Sequence, residues 1–140
     1  MAAATDLHPR LDPTHLAVVR CPQGWQPAPL PADAFTAIVA SEDETTVILP
    51  EAMLDDPAWS ADALQVDAGW RRITFAGPLP WELVGFLADV AGRLAGAQIP
   101  FTSVSGFTTD HVLVRAAQAD LAVSVLSGDQ PPPQQPGTNP

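Results

Sequence analysis

Lysine and tyrosine are missing from this 140-residue chain, and cysteine occurs once. Without lysine, six arginines face 16 acidic residues and the formal charge is −10, which leaves almost no material for the phosphate footprint of a nucleic-acid binder. Nucleic acid is therefore not an expected partner. The lone Cys21 closes no intramolecular disulfide, and the opening MAAATDLHPR lacks the apolar stretch of a signal peptide, so a cytoplasmic protein is expected. Every apolar run is cut by Pro, Gly or a charge before the roughly 18 residues that a membrane span needs, and no membrane partner is expected.

Catalytic signatures are also lacking. His8, His15 and His111 have no ligand spacing such as H-E-x-x-H, so no metal is expected. Neither G-x-G-x-x-G nor G-x-x-x-x-G-K-[ST] occurs, and no cofactor is expected. Cys21 with His15 or His111 would supply a nucleophile and a base, but an isolated Cys at a strand end reads better as an inert buried thiol. Glu42, Asp43 and Glu44 read as a solvated turn. No catalytic residue is assigned, and the chain is read as a non-enzyme.

What is present is apolar: 46% of the residues are hydrophobic and 16% charged, more apolar surface than one small core hides, which predicts a homodimer. Both ends read as flexible tails, residues 1–13 for want of apolar anchors and 128–140 because they are rich in Pro and Gln. Residues 16–20 (LAVVR) predict a strand, and four prolines between 22 and 31 force a loop after it. Residues 35–40 and 45–49 predict a hairpin. A helical turn from Pro50 ends at Pro57, and residues 63–66 and 70–76 predict two further strands. A helix is predicted from Pro80 to about Ala95, burying Leu83, Leu87, Val90, Ala91 and Leu94, with Gly96 as its left-handed cap. A second stripe on it, Trp81, Gly85, Ala88 and Gly92, predicts tight packing against the other half of the molecule. A second hairpin (102–107, 111–115) and a helix over 118–126 complete the order.

Strand, helix, strand, strand, helix is a ferredoxin-like βαββα unit without its last strand. The first hairpin repeats the second: Phe35, Thr36 and Ile38 lie over Phe101, Thr102 and Val104, and Val47 to Leu49 over Val112 to Val114 after a one-residue slip. The fold predicted is α+β, two tandem ferredoxin-like units with an antiparallel sheet and helices on one face. Residues 14–68 form a degenerate first unit in which the Pro-rich loop replaces the first helix, and 69–127 form a fuller second unit.

The spaced blocks Glu44-x-x-Val47-Ile48-x-Pro50-Glu51, Gly69-Trp70, Gly77-Pro78-Leu79, Gly85 with Leu87-Ala88, Ile99, Ser105, Thr109-Asp110 and Leu113-Val114 resemble short bacterial tandem ACT-domain proteins, relatives of the CASTOR-type arginine sensors. The resemblance spans about residues 16–126. It implies a regulatory protein that binds an amino acid or a similar small metabolite at an interface between domains. Where the family pattern reads I-S-T-Y-D-T-D, this chain has Val104-Ser105-Gly106-Phe107-Thr108-Thr109-Asp110, with a hydroxyl lost at Gly106 and a carboxylate at Thr108. The family's closing strand is not found after Leu126. Its place beside residues 70–76 would be an open edge, blunted by Arg71 and Arg72 or covered by another segment.

An amino-acid carboxylate suits the turn Gly77, Pro78, Leu79 that leads into a helix at Trp81, and the ammonium suits Asp110 with Ser105 and Thr109. Read without the resemblance, Asp110 caps a turn and Ser105 satisfies a backbone group. The competing function is a non-catalytic interaction module, assembling with itself or a regulated protein partner, whose ligand site has decayed. Trp25 and Trp81 are the aromatics expected at an interface.

Overall fold

A computed structural model of the chain describes residues 5–75 and 84–129. The elements are β1 (Pro9–Cys21), β2 (Ala37–Ala40), β3 (Thr45–Pro50), a 3-10 turn Glu51–Asp55, α1 (Pro57–Ser60), β4 (Gln65–Phe75), α2 (Phe86–Gly96), β5 (Phe101–Ser105), β6 (Asp110–Arg115), a 3-10 turn Ala116–Gln118 and α3 (Ala119–Leu126). All six strands join one antiparallel sheet in the order β2-β3-β1-β4-β6-β5, which sets two three-stranded halves head to head across the β1–β4 pair.

Side chains alternate between the faces as a strand requires. On one face the helices lie over two clusters: Ile73, Phe75, Val112 and Val114 with Val90 and Leu94 of α2 and Ala122 and Leu126 of α3, and Ala17, Val19, Val47 and Leu49 with Trp59 of α1. On the helix-free face Leu16, Ile48 and Leu113 form a third cluster, with Phe35, Trp70 and Val104 packed on it. No helix forms between β1 and β2, as the prolines predict. Trp25 from that loop packs on Trp59, ring centroids 6.1 Å apart, and so belongs to the core. Among the described residues, no helix is long and apolar enough to cross a membrane.

The first strand is longer than its apolar run. Residues 9–11, expected as part of a tail, pair with the end of β4, Pro9 to Leu11 opposite Phe75 to Ile73, while Leu16 to Cys21 also pair with β3. This segment covers the edge that a closing strand would occupy, and no strand follows α3 among the described residues. Arg71 fastens the cover rather than blunting an edge: its Nε and one terminal nitrogen donate to the Asp12 carbonyl at 3.1 and 3.0 Å. Leu7 and Leu11 pack on the helix-face core, and the Leu7 N–H donates to the Leu126 carbonyl at 3.0 Å.

β4 runs unbroken where two strands were expected because Gly69, at φ +87°, absorbs an extra residue opposite Ala17. The Gly69 N–H donates to Glu51 Oε1 at 2.6 Å, so this acid of the Pro50-Glu51 motif anchors the bulge. The helical turn expected from Pro50 is the 3-10 turn Glu51–Asp55, which stops before Pro57, and Pro57 then starts α1 as the first helical residue behind the N-cap Asp56, whose carboxylate accepts the Ala58 N–H at 2.9 Å.

α2 begins at Phe86, after Gly85 at φ +87°, and its buried face is Phe86, Val90 and Leu94. Leu87, expected inside, is 39% exposed, and Leu83 lies outside the described residues. The small stripe does not pack tightly: Ala88 and Gly92 are exposed, and a side chain at Gly92 would meet nothing within 4 Å. The left-handed cap is Gln98, not Gly96. The Ile99 N–H returns to the Leu94 carbonyl at 2.9 Å and Gln98 N–H to Ala95 at 3.0 Å, closing a Schellman turn that buries Ile99 against Leu94.

The repeat also needs a correction. Ile38 pairs with Val47 as Ser103 pairs with Val112, so one constant spacing serves both strands and Ile38 corresponds to Ser103. The alignment of Ile38 with Val104 is one residue out, which is why those two side chains pack on opposite faces.

Candidate functional site

Of the residues expected to hold a ligand, Gly77, Pro78, Leu79 and Trp81 lie outside the described residues. Ser105, Thr109 and Asp110 close the β5–β6 hairpin. The Gly106 N–H donates to the Thr109 carbonyl at 2.8 Å, and Ser105 Oγ donates to Asp110 Oδ1 at 2.7 Å. The other Asp110 oxygen takes no hydrogen bond among the described residues, and the side chain is half-buried. In strand geometry Asp110 shares the helix face with Val112, and His111 turns to the helix-free face, where it meets Phe35. The loss of a side chain at Gly106 has a local reason: a Cβ there would sit 3.3 Å from the Thr109 carbonyl and 3.5 Å from His111 Nε2.

Thr109 belongs to a second feature as well, a cleft of about 710 Å³ bounded by Arg10 to Pro13 of β1, Arg72, Thr74 and Phe75 of β4 and the Thr108–Thr109 turn, with His111 at its side. Between Leu11 and His15 the β1 register slips, and Asp12 and Pro13 of this bulge form one wall. Arg72 is the central group. Its guanidinium carbon stands 4.4 Å from the Phe35 ring centroid, one terminal nitrogen lies 3.3 Å from Asp12 Oδ2 and the other 3.3 Å from His111 Nδ1. Its Nε and the Thr109 hydroxyl are buried with no partner among the described residues.

Burial alone would raise the Asp12 carboxyl, but the Thr14 hydrogen bonds and the Arg72 guanidinium outweigh it and hold that group below its usual value. Burial, and then the Arg72 charge, push His111 below the usual imidazole value, against a smaller opposing pull from Asp110. A guanidinium only donates, so in this contact His111 accepts at Nδ1. The unfolded chain protonates this histidine first, so stability from this group is full above the usual imidazole pKa and falls with pH down to the lower folded value. His111→Gln is expected to flatten the change in melting temperature between neutral and mildly acidic buffer. An unchanged slope would remove His111 from the pH response.

Cys21 is buried, and burial pushes its thiol up, followed by Asp62, as suits an unreactive side chain. Among the described residues, no three His, Cys, Asp or Glu side chains gather as a metal site. Sequence reasoning missed the cleft because it treated residues 1–13 as a tail. The available signal was Arg72 with Trp70 and Thr74 at period two, three polar or amphipathic side chains on one face of a strand in an arginine-poor chain.

The sheet order, the helices on one face and the hairpin at the end of the second unit define a fold of the ACT type. Residues 65–128, the second unit, match the ACT domain family. No curated protein sequence matches the chain. Among solved structures it is similar to protein Atu0741 from Agrobacterium tumefaciens (22% identity, 91% of this chain and 92% of that one, TM-score 0.70). It is also similar to the regulatory subunit of aspartate kinase from Thermus thermophilus in its ligand-free form (9% identity, 92% and 100%, TM-score 0.64). A third is VC0802 from Vibrio cholerae, a protein of unknown function described as a possible transport protein (19% identity, 86% and 88%, TM-score 0.64). The fold shared with the regulatory subunit of aspartate kinase extends over both units of the chain.

Proposed function

We propose that the chain is a non-catalytic, cytoplasmic regulatory protein that binds an amino acid or a similar small metabolite. Asp110 with Ser105 and Thr109 receives the ammonium, and the turn of Gly77, Pro78, Leu79 and Trp81 receives the carboxylate. The observation that carries the reading is the Asp110 carboxylate at the hairpin end of an ACT domain, one oxygen fixed by Ser105 and the other unused among the described residues. Such a group is oriented before a ligand arrives, which lowers the ordering cost of binding. The proposed assembly is a homodimer, supported by the exposure of Leu87, Leu121, Leu64 and Val66 in the single chain.

A thermal-shift screen over the twenty amino acids, repeated on Asp110→Ala, tests this. One amino acid is expected to raise the melting temperature; at 100 times its Kd the gain is about 2.7 kcal/mol, and the variant loses it. No shift with any amino acid, together with a tight dimer or larger assembly by light scattering, would replace this reading with the interaction module.

A further inference from the structure

We infer that the cleft on the helix-free side is a second binding site, independent of Asp110, and that it takes a small dicarboxylate held between Arg10 and Arg72. Two of the six arginines of a chain with charge −10 line this one cavity. The Arg10 side chain makes no hydrogen bond or ion pair among the described residues, and Arg72 keeps an unused Nε–H although its ring stack and two flanking partners fix its plane. Guanidinium groups prefer carboxylate or phosphate, and a fixed one binds without further ordering cost.

The walls choose between those anions and a zwitterion. Asp12 is the one acid in the lining, and both its oxygens are taken, Oδ1 by the Thr14 N–H at 2.9 Å and Oδ2 by Arg72. No acid remains there for an ammonium, which separates this cleft from the hairpin carboxylate. Pro13 gives it an apolar wall, while Leu11 and Phe75 border it with their side chains turned to the helix-face core, and the donors sit on two neighbouring strands, so the ligand needs a carbon body with an anionic group at each end.

The test titrates the full-length ¹⁵N-labelled protein with succinate, using acetate and inorganic phosphate as comparison probes. The Arg72 Nε–H resonance, assigned from its loss in Arg72→Gln, and the Thr109 amide report binding. Arg72→Gln also removes the support of Asp12 and Phe35, so the deciding variant is Arg10→Gln, whose side chain is exposed and unpaired. Succinate is expected to shift both resonances saturably, at least about tenfold more tightly than acetate. Arg10→Gln weakens it about tenfold, the worth of one hydrogen bond to a charged group, while Asp110→Ala does not change it. Equal affinity for acetate, tighter binding of phosphate than succinate, or an Arg10→Gln variant that binds like the parent would each overturn the inference. An amino acid whose effect depends on Asp110 would still support the hairpin site in any of those cases.

Discussion

A chain lacking residues 1–11 is expected to lose most of its folding stability and to associate through an uncovered strand. The deletion removes the pairing of Pro9 to Leu11 with Phe75 to Ile73, the Leu7–Leu126 hydrogen bond, and the bond from Arg93 to the Thr5 carbonyl. It also strips Leu7 and Leu11 from the core of Ile73, Phe75 and Leu126. Two partly buried leucines and the apolar surface they cover amount to about 3–5 kcal/mol at ~25 cal/mol per Å². Against a typical total of about 5–15 kcal/mol, that leaves a marginal fold. The bared edge of β4 adds the second effect, since unpaired N–H and C=O groups beside Ile73 and Phe75 are a template for another strand. Urea unfolding and light scattering read the two effects separately. An unchanged unfolding midpoint would mean that the segment only rests on the sheet.

The same segment shows where the sequence ran short. Strands with their own apolar repeat, such as residues 45–49, were legible because alternate residues face two different clusters. Residues 9–13 carry one leucine among two prolines and two charges, and their pairing partner lies some sixty positions along the chain, so local pattern could not place them. The phase of α2 was misread for a related reason. Val90 and Leu94 fit both a Leu87-centred and a Phe86-centred stripe, and the choice depends on Gly85 taking a left-handed turn immediately before the helix. Gln98 was passed over for Gly96 because glycine is the common left-handed cap; burial of Ile99 overrode that preference here.

The candidate site was legible in part. Ser105 and Asp110 do meet, as the spacing across a hairpin end suggests, and Asp110 and His111 diverge as neighbours in a strand must. Thr109 lines the cleft and closes the hairpin through its carbonyl. Arg72 was hidden because its importance comes from Phe35, Asp12 and His111, three residues drawn from three distant segments.

Leu113→Ala is expected to cost about 2–4 kcal/mol, near the usual range for a buried leucine, although it lies on the face without helices. Leu113 is 0% exposed, pairs directly with Arg72 across the β4–β6 ladder, and lies in one cluster with Leu16 and Ile48 from the other half of the sheet. Its removal therefore weakens the joint between the two units as well as the local core. The surroundings limit the loss: Phe35, Trp70 and Val104 are only partly buried, so they can settle into the space more readily than side chains clamped under α2. Leu94→Ala, beneath α2 and also fully buried, is the comparison, and its cost should be larger by roughly 1 kcal/mol, as cavity volume is recovered less completely there. Because Phe35 carries the Arg72 guanidinium, its settling after Leu113→Ala should also shift the Arg72 Nε–H resonance without ligand, which Leu94→Ala should not do. A loss below about 1 kcal/mol for Leu113→Ala would mean that this face is an ordinary hydrated sheet surface, not a second core.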